Sequence, residues 1–277
     1  MERHVRSVNP VLRLPANSQT VAKNLILEPG QWEEFDPFLL MLEDWVAPHG
    51  GFPNHPHRGF ETVTLMLEGQ LEHRDSRGNQ GVLGPGDVQW MTAASGIIHS
   101  EMPHGGGTSH LLQLWLNLSP EDKRGRPGYQ DLRADSIPTR TENGVVTRVI
   151  SGEQAGLRAS TRNHVPVLML EIRAEAGAST RLDVPARYNG FVYVLSGKGR
   201  FGAKQTKAEK GQVLWLSRDD EASTFTVHVD EPLHLFFAAG VPIGAPVVAH
   251  GPFVMNTREE IVQAFDDYRR GRLDRVL

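Results

Sequence analysis

Thr62-Val-Thr-Leu-Met-Leu-Glu-Gly69, followed after a polar turn region by Gly86-Asp-Val-Gln-Trp90, has a counterpart in Phe191-Val-Tyr-Val-Leu-Ser-Gly197 and Gly211-Gln-Val-Leu-Trp215. Each copy reads as a strand ending in glycine, a polar turn and then Gly-x-Val-x-Trp, with a glycine-to-glycine spacing of 17 in the first and 14 in the second. Two copies of one small β-unit are the simplest account of that repetition. Working outward, the segments Leu111 to Leu118, Val165 to Ile172, Phe225 to Val229 and Leu233 to Ala238 are short, β-branched or aromatic runs of the same kind. With 28 Gly and 18 Pro punctuating them, the chain is predicted to be all-β, built of sandwiches or barrels.

A length of 277 residues accommodates two such units. The stretches Ser119 to Gly128 and Ser136 to Gly144 are polar and rich in turn formers, so the boundary is placed at Asp135, giving domains 1–134 and 135–277. The C-terminus is predicted to be a helix packed on a barrel. Thr257 and Glu260 have capping-box spacing, Ile261, Val262, Phe265 and Tyr268 form its apolar face, and Gly271 ends it. Arg269, Arg270, Arg272 and Arg275 then complement the negative end of its dipole.

The formal charge of −4 supplies no general attraction to nucleic acid or to an anionic membrane. Neither a signal peptide nor a bilayer-spanning apolar run is apparent, which predicts a soluble, cytoplasmic protein. The chain has no cysteine, which excludes disulfides, thiolate metal sites and cysteine nucleophiles. Any bound metal must therefore be held by imidazole and carboxylate, and 12 His are available.

Two pairs among them have the spacing that matters. In an extended chain, side chains at i and i+2 share a face, so His55 and His57 project together, and so do His99 and Glu101. Brought together on facing strands, three imidazoles and one carboxylate suit a divalent first-row metal with open coordination positions, close to the arrangement of non-haem iron oxygenases. Glu61, four residues after His57, also faces inward on alternation grounds, and pattern alone does not choose between the two carboxylates.

The segments His57-Arg-Gly-Phe-Glu-Thr-Val-Thr64, Gly86-Asp-Val-Gln-Trp-Met-Thr-Ala93, Gly96-Ile-Ile-His-Ser-Glu-Met-Pro103 and Gly251-Pro-Phe-Val-Met-Asn-Thr257 resemble those of the pirin family of the cupin superfamily. The matches run in order through both halves and so cover nearly the whole chain. The resemblance implies a bicupin with a short C-terminal helix. It further implies a single Fe(II) bound in the N-terminal barrel at the positions matching His55, His57, His99 and Glu101, and a C-terminal barrel free of metal. Mn, Ni, Cu and Zn accept the same donors. The resemblance favours Glu101 as the carboxylate ligand; Glu61 is kept as an alternative ligand or as the partner of a ligating imidazole.

Aligning the repeats tests the asymmetry without the family. Matching Gly69 to Gly197 sets His55 against Asp183, His57 against Pro185 and Glu61 against Asn189; matching Gly86 to Gly211 sets His99 against Thr224 and Glu101 against Thr226. The second copy is therefore expected to be structural. Of the other histidines, His73 is expected to be solvated beside a turn, and His49 and His104 to lie at the surface.

An open imidazole and carboxylate site suits oxygen chemistry, with Glu101 able to take a proton from a substrate hydroxyl. Phe52, Phe60, Met41 and Met91 are candidate walls for a flat aromatic substrate. Activity on quercetin occurs among pirins, so the resemblance implies a quercetin 2,3-dioxygenase that uses O2, cleaves a flavonol-like compound and releases carbon monoxide, Glu101 being its catalytic residue. The alternative it implies is a non-enzymatic, iron-dependent redox sensor that binds a transcription factor or a metabolic enzyme.

Overall fold

The repeated runs are strands in the computed structural model, which describes residues 1–273; Arg275 of the predicted basic group lies outside the described residues. The chain forms two units, and neither is a continuous piece of sequence.

One unit holds Leu12–Glu34, Phe38–Ala134 and the described residues from Ile243 onward. Its seven-stranded antiparallel sheet runs in the order Gly128–Leu132, Val88–Thr92, Phe60–Glu68, Ser109–Asn117, Phe38–Val46, Thr20–Leu27, Leu12–Leu14. A second sheet of four strands has the order Phe52–His57, Ile97–His104, Gln70–Asp75, Gln80–Leu83. Val46, Met66 and Leu111 of the first sheet pack on Leu71, Leu83 and Phe52 of the second, so the two close on each other through an apolar layer.

The other unit holds Met1–Val11, Phe35–Pro37 and Asp135–Pro242. Its nine-stranded sheet is organised by two long strands, Asn189–Phe201 and Ser223–Gly240, which carry register shifts along their pairing and bend to serve both sides of the barrel. A single large apolar cluster that includes Leu182, Val184, Phe225 and Val227 fills it.

The repeat is visible in the register. Trp90 lies across from Val63, six residues before Gly69, and Trp215 lies across from Phe191, six residues before Gly197. Gly86 N donates to Met66 O and Gly211 N to Val194 O, each carbonyl three residues before its glycine. Gly69 and Gly197 have φ of +74° and +81°, and a Cβ at these positions would lie 2.4 Å from Thr108 O and 2.0 Å from Pro232 O. The shared glycine is thus demanded by backbone conformation and by close approach of another strand.

Two expectations need correction. The domains were drawn as 1–134 and 135–277, yet the first strand, Val5–Pro10, pairs with Gln212–Leu216, while the segment after Pro242, with the C-terminal helix, belongs with residues 38–134. Edge pairing and apolar cover, which are long-range, decide membership. The helix Arg258–Arg269 has its capping box, Thr257 accepting from Glu260 N and Glu260 from Thr257 N, and Gly271 follows its C-cap at φ +62°. Its buried face is Ile261 and Ala264, whereas Val262 is 68% and Tyr268 38% exposed. Arg270 and Arg272 pair with Asp266 and Asp267 in addition to any dipole effect. Among the described residues, no helix is long and apolar enough to cross a membrane.

Gly197→Ala combines positive φ with a backbone clash and should cost on the order of 2 kcal/mol, read as a lowered denaturant midpoint. On the second unit's outer face, buried Glu171 accepts from Arg148, His234 and Arg173. Burial alone would raise its carboxyl, but the His234 hydrogen bond and the Arg148 charge outweigh it and hold it at about 2, against 4.5 ordinarily. A depressed pKa stabilises above the unfolded value and is lost as pH falls through the folded one. Glu171→Gln should therefore remove about 3 kcal/mol at pH 7 and flatten the loss of stability between about pH 4.5 and 2, measured by urea titrations at each pH.

Candidate metal centre

Pro53 and Pro56 are tolerated in Phe52–His57 because that strand forms the edge of its sheet. Alternation turns His55 and His57 to one face, and the register sets His99 directly opposite His55. The pairing shifts between His99 and Glu101, so that Glu101 faces Phe52. The rings of His55, His57 and His99 have centroids 4.3 to 4.9 Å apart, and one nitrogen from each lies within 4.8 Å of the others. His57 and His99 are buried and His55 half-buried.

The atoms behind the rings orient them. His55 Nδ1 donates to Pro53 O at 2.8 Å and His57 Nδ1 to Pro252 O at 3.4 Å, which leaves both Nε2 atoms bare. His99 Nδ1 meets His73 Nε2 at 3.0 Å, and His99 Nε2 is buried with no hydrogen-bond partner. A polar atom left so costs about 1 to 3 kcal/mol, a cost removed by coordination to a cation. The donor set present therefore fits a divalent ion.

Burial, reinforced by the neighbouring imidazoles, pushes His57 down to about 3 and His99 well below the ordinary range; burial also lowers His55. At neutral pH all three are in the unprotonated form that a metal requires. Burial, then the charge of Asp44, raises Glu101 to about 7 against a lowering hydrogen bond from Gln113.

The four predicted residues are not equivalent. The imidazoles converge, whereas Glu101 stands outside their 4.8 Å group and lines, with His55 and His57, a cavity of about 200 Å³. Glu61 is buried, accepts from Thr92 Oγ1 at 2.7 Å, and lines no part of that cavity. Of the four expected aromatic and methionine walls only Phe52 lines it; Leu42, Leu111 and Trp115 supply the others. Phe60 stacks on Trp115, Met41 is core, and Met91 accepts from the Tyr129 hydroxyl. Lys23 pairs with buried Asp44 at 3.2 Å on the same cavity. Larger clefts of about 360 and 400 Å³ belong to the other unit and contain no cluster of ligating side chains among the described residues.

His73 was expected in solvent and is 1% exposed. The missed signal is alternation, since His73 shares a strand face with buried Leu71. His49 and His104 are exposed, as expected. Lys123 was also missed: it is buried, and its Nζ donates to Gly59 O, Asn117 Oδ1 and Val254 O at 2.5, 2.6 and 3.1 Å. With the Val254 N to Arg58 O bond, it clips the C-terminal segment to the turn after His57 and so holds the Pro252 carbonyl behind that ring.

In the second repeat Asp183 and Thr224 are cross-strand partners, as His55 and His99 are. Asp183 is exposed, however, and the inward positions of those strands belong to Leu182, Val184, Phe225 and Val227. A shift of one residue exchanges faces, and apolar side chains occupy the interior there.

The family profile for Pirin matches residues 19–116, and that for the pirin C-terminal cupin domain matches residues 169–274. A pirin-like protein of Solanum lycopersicum is 41% identical over 240 residues, covering 87% of this chain and 82% of its own. Pirin of Homo sapiens is 41% identical over 245 residues, covering 87% and 83%. A crystal structure of quercetin 2,3-dioxygenase from Acinetobacter baumannii superposes with a TM-score of 0.89 at 28% identity, over 100% of both chains. The architecture is that of a bicupin.

Lys123→Met would strip three buried acceptors of their donor. It should lower stability by on the order of 3 kcal/mol in denaturant titrations, and the C-terminal segment should lose amide protection in hydrogen exchange.

Proposed function

The chain belongs to the pirin family, and from that premise we propose that it is an iron-dependent dioxygenase of flavonol-like compounds, with His55, His57, His99 and Glu101 holding a single Fe(II). The observation that carries this reading is the convergence of three neutral imidazoles, one with a buried unpartnered Nε2, beside a cavity walled by aromatic and aliphatic side chains. A full-length structural relative is a quercetin 2,3-dioxygenase, which supports the substrate class.

When bound, such an ion supplies a Lewis acid and a one-electron donor for dioxygen. The protein's own groups do the rest. The Pro53 and Pro252 carbonyls hold two imidazoles in their ligating tautomer. Glu101, buried on the wall of that cavity, is the acceptor for the proton of a flavonol hydroxyl. Phe52, Leu42, Leu111 and Trp115 take the flat faces of the substrate and keep water out. At about 200 Å³ the cavity is smaller than usual ligand pockets and takes part of a flavonol.

Protein loaded anaerobically with Fe(II) and then given quercetin in air should consume dioxygen and release carbon monoxide in equal amounts, followed by oxygen electrode and gas chromatography. His57→Ala should cut turnover at least about 100-fold while remaining folded. Iron-loaded protein that consumes no dioxygen with quercetin rejects the enzymatic reading.

A further inference from the structure

The three imidazoles differ in what stands behind them. His55 and His57 lean on main-chain carbonyls, which are fixed as acceptors. His99 leans on a side chain, His73, whose Nε2 can either donate or accept. His73 is itself enclosed. It projects from Gln70–Asp75, directly across from Glu101, and packs at a tilt on His99 and Tyr129 with centroid distances of 5.1 and 4.7 Å. The Tyr129 hydroxyl lies 3.1 Å from the same His73 Nε2 and 3.0 Å from Met91 Sδ. Tyr129 belongs to the seven-stranded sheet and His73 to the four-stranded one, so the support of His99 draws on both sheets of its unit.

Hydrogen-bond accounting fixes the protons. The atom of His99 that is buried and without a partner is Nε2, so a ring ligating there carries its one proton on Nδ1. That proton faces His73 Nε2 at 3.0 Å, which must then be the bare nitrogen, with the His73 proton on Nδ1. The Tyr129 hydroxyl has a second acceptor in Met91 Sδ and need not compete for that lone pair.

We infer that His73 is a positioning residue of the metal centre, which accepts the Nδ1 proton of His99, fixes that ring's tautomer and plane, and thereby sets the affinity for the ion. The inference rests on the metal-centre reading and goes beyond its ligand set. A partner of this kind behind a ligating histidine is typically worth 10- to 100-fold in metal affinity.

The test uses zinc as a diamagnetic probe on the whole chain. In 15N-labelled, zinc-loaded protein, long-range 1H–15N correlations should place a proton on Nδ1 of both His99 and His73, with His73 Nε2 unprotonated. A proton on His73 Nε2 in that state overturns the proposal without need of any variant. In competition titrations against a chromophoric chelator, His73→Leu should weaken zinc binding by about 10- to 100-fold, while His73→Gln, whose amide oxygen can stand where Nε2 stood, should recover it to within about threefold of wild type. Unchanged affinity in His73→Leu, or equal loss in both variants, overturns the positioning role, whereas wild-type protein that takes up no zinc overturns the metal-centre reading and this inference with it. Thermal unfolding of the metal-free variants reports their folding separately.

Discussion

The register between Phe52–His57 and Ile97–His104 is the constraint on which the site depends. Because successive side chains of a strand point to opposite faces, pairing His99 with His55 brings three imidazoles to one side, and a slip of Phe52–His57 by one residue would turn His55 and His57 away from His99. Burying so many polar groups carries its own demand, because each must find a partner. The Nδ1 atoms find two carbonyls and a fourth imidazole, that of His73, and what remains is a converging set of bare nitrogens. A cluster able to hold a cation is in this sense a consequence of closing the sheets over histidine.

The second repeat shows the same scaffold with that demand removed. Its glycines, its tryptophan and its backbone hydrogen bonds coincide with those of the first, but Leu182, Val184, Phe225 and Val227 point inward. Such an interior needs no hydrogen-bond accounting and supports its unit by apolar burial alone. The difference between the two interiors is thus a matter of which residues fall on one strand parity, on an otherwise shared frame.

Support for the first site comes from far along the chain. Pro252 lies 195 positions from the His57 ring it orients, and Lys123 fastens that segment, through Val254 O, to Gly59 O. Gly59 has φ +91° and a Cβ there would lie 1.9 Å from Val254 O, so the turn after His57 is shaped to receive the returning chain. An outline of domains drawn at a polar stretch of sequence separates these partners, since turn composition marks where the chain may bend and carries no record of what pairs across it.

The sequence by itself determined the all-β class, the duplication, the imidazole pairs and the capped terminal helix, because each rests on local periodicity or on spacings of two to four residues. It also showed that no thiolate ligand is available, a matter of composition alone. Only the tertiary structure decided that Glu101 lines the cavity while Glu61 bonds Thr92, that Trp115 and Leu111 wall the site, and that His73 is buried behind His99. Those facts depend on register and on strands far apart in sequence, and period-two alternation leaves either face of a strand free to be the inner one until its partners are known.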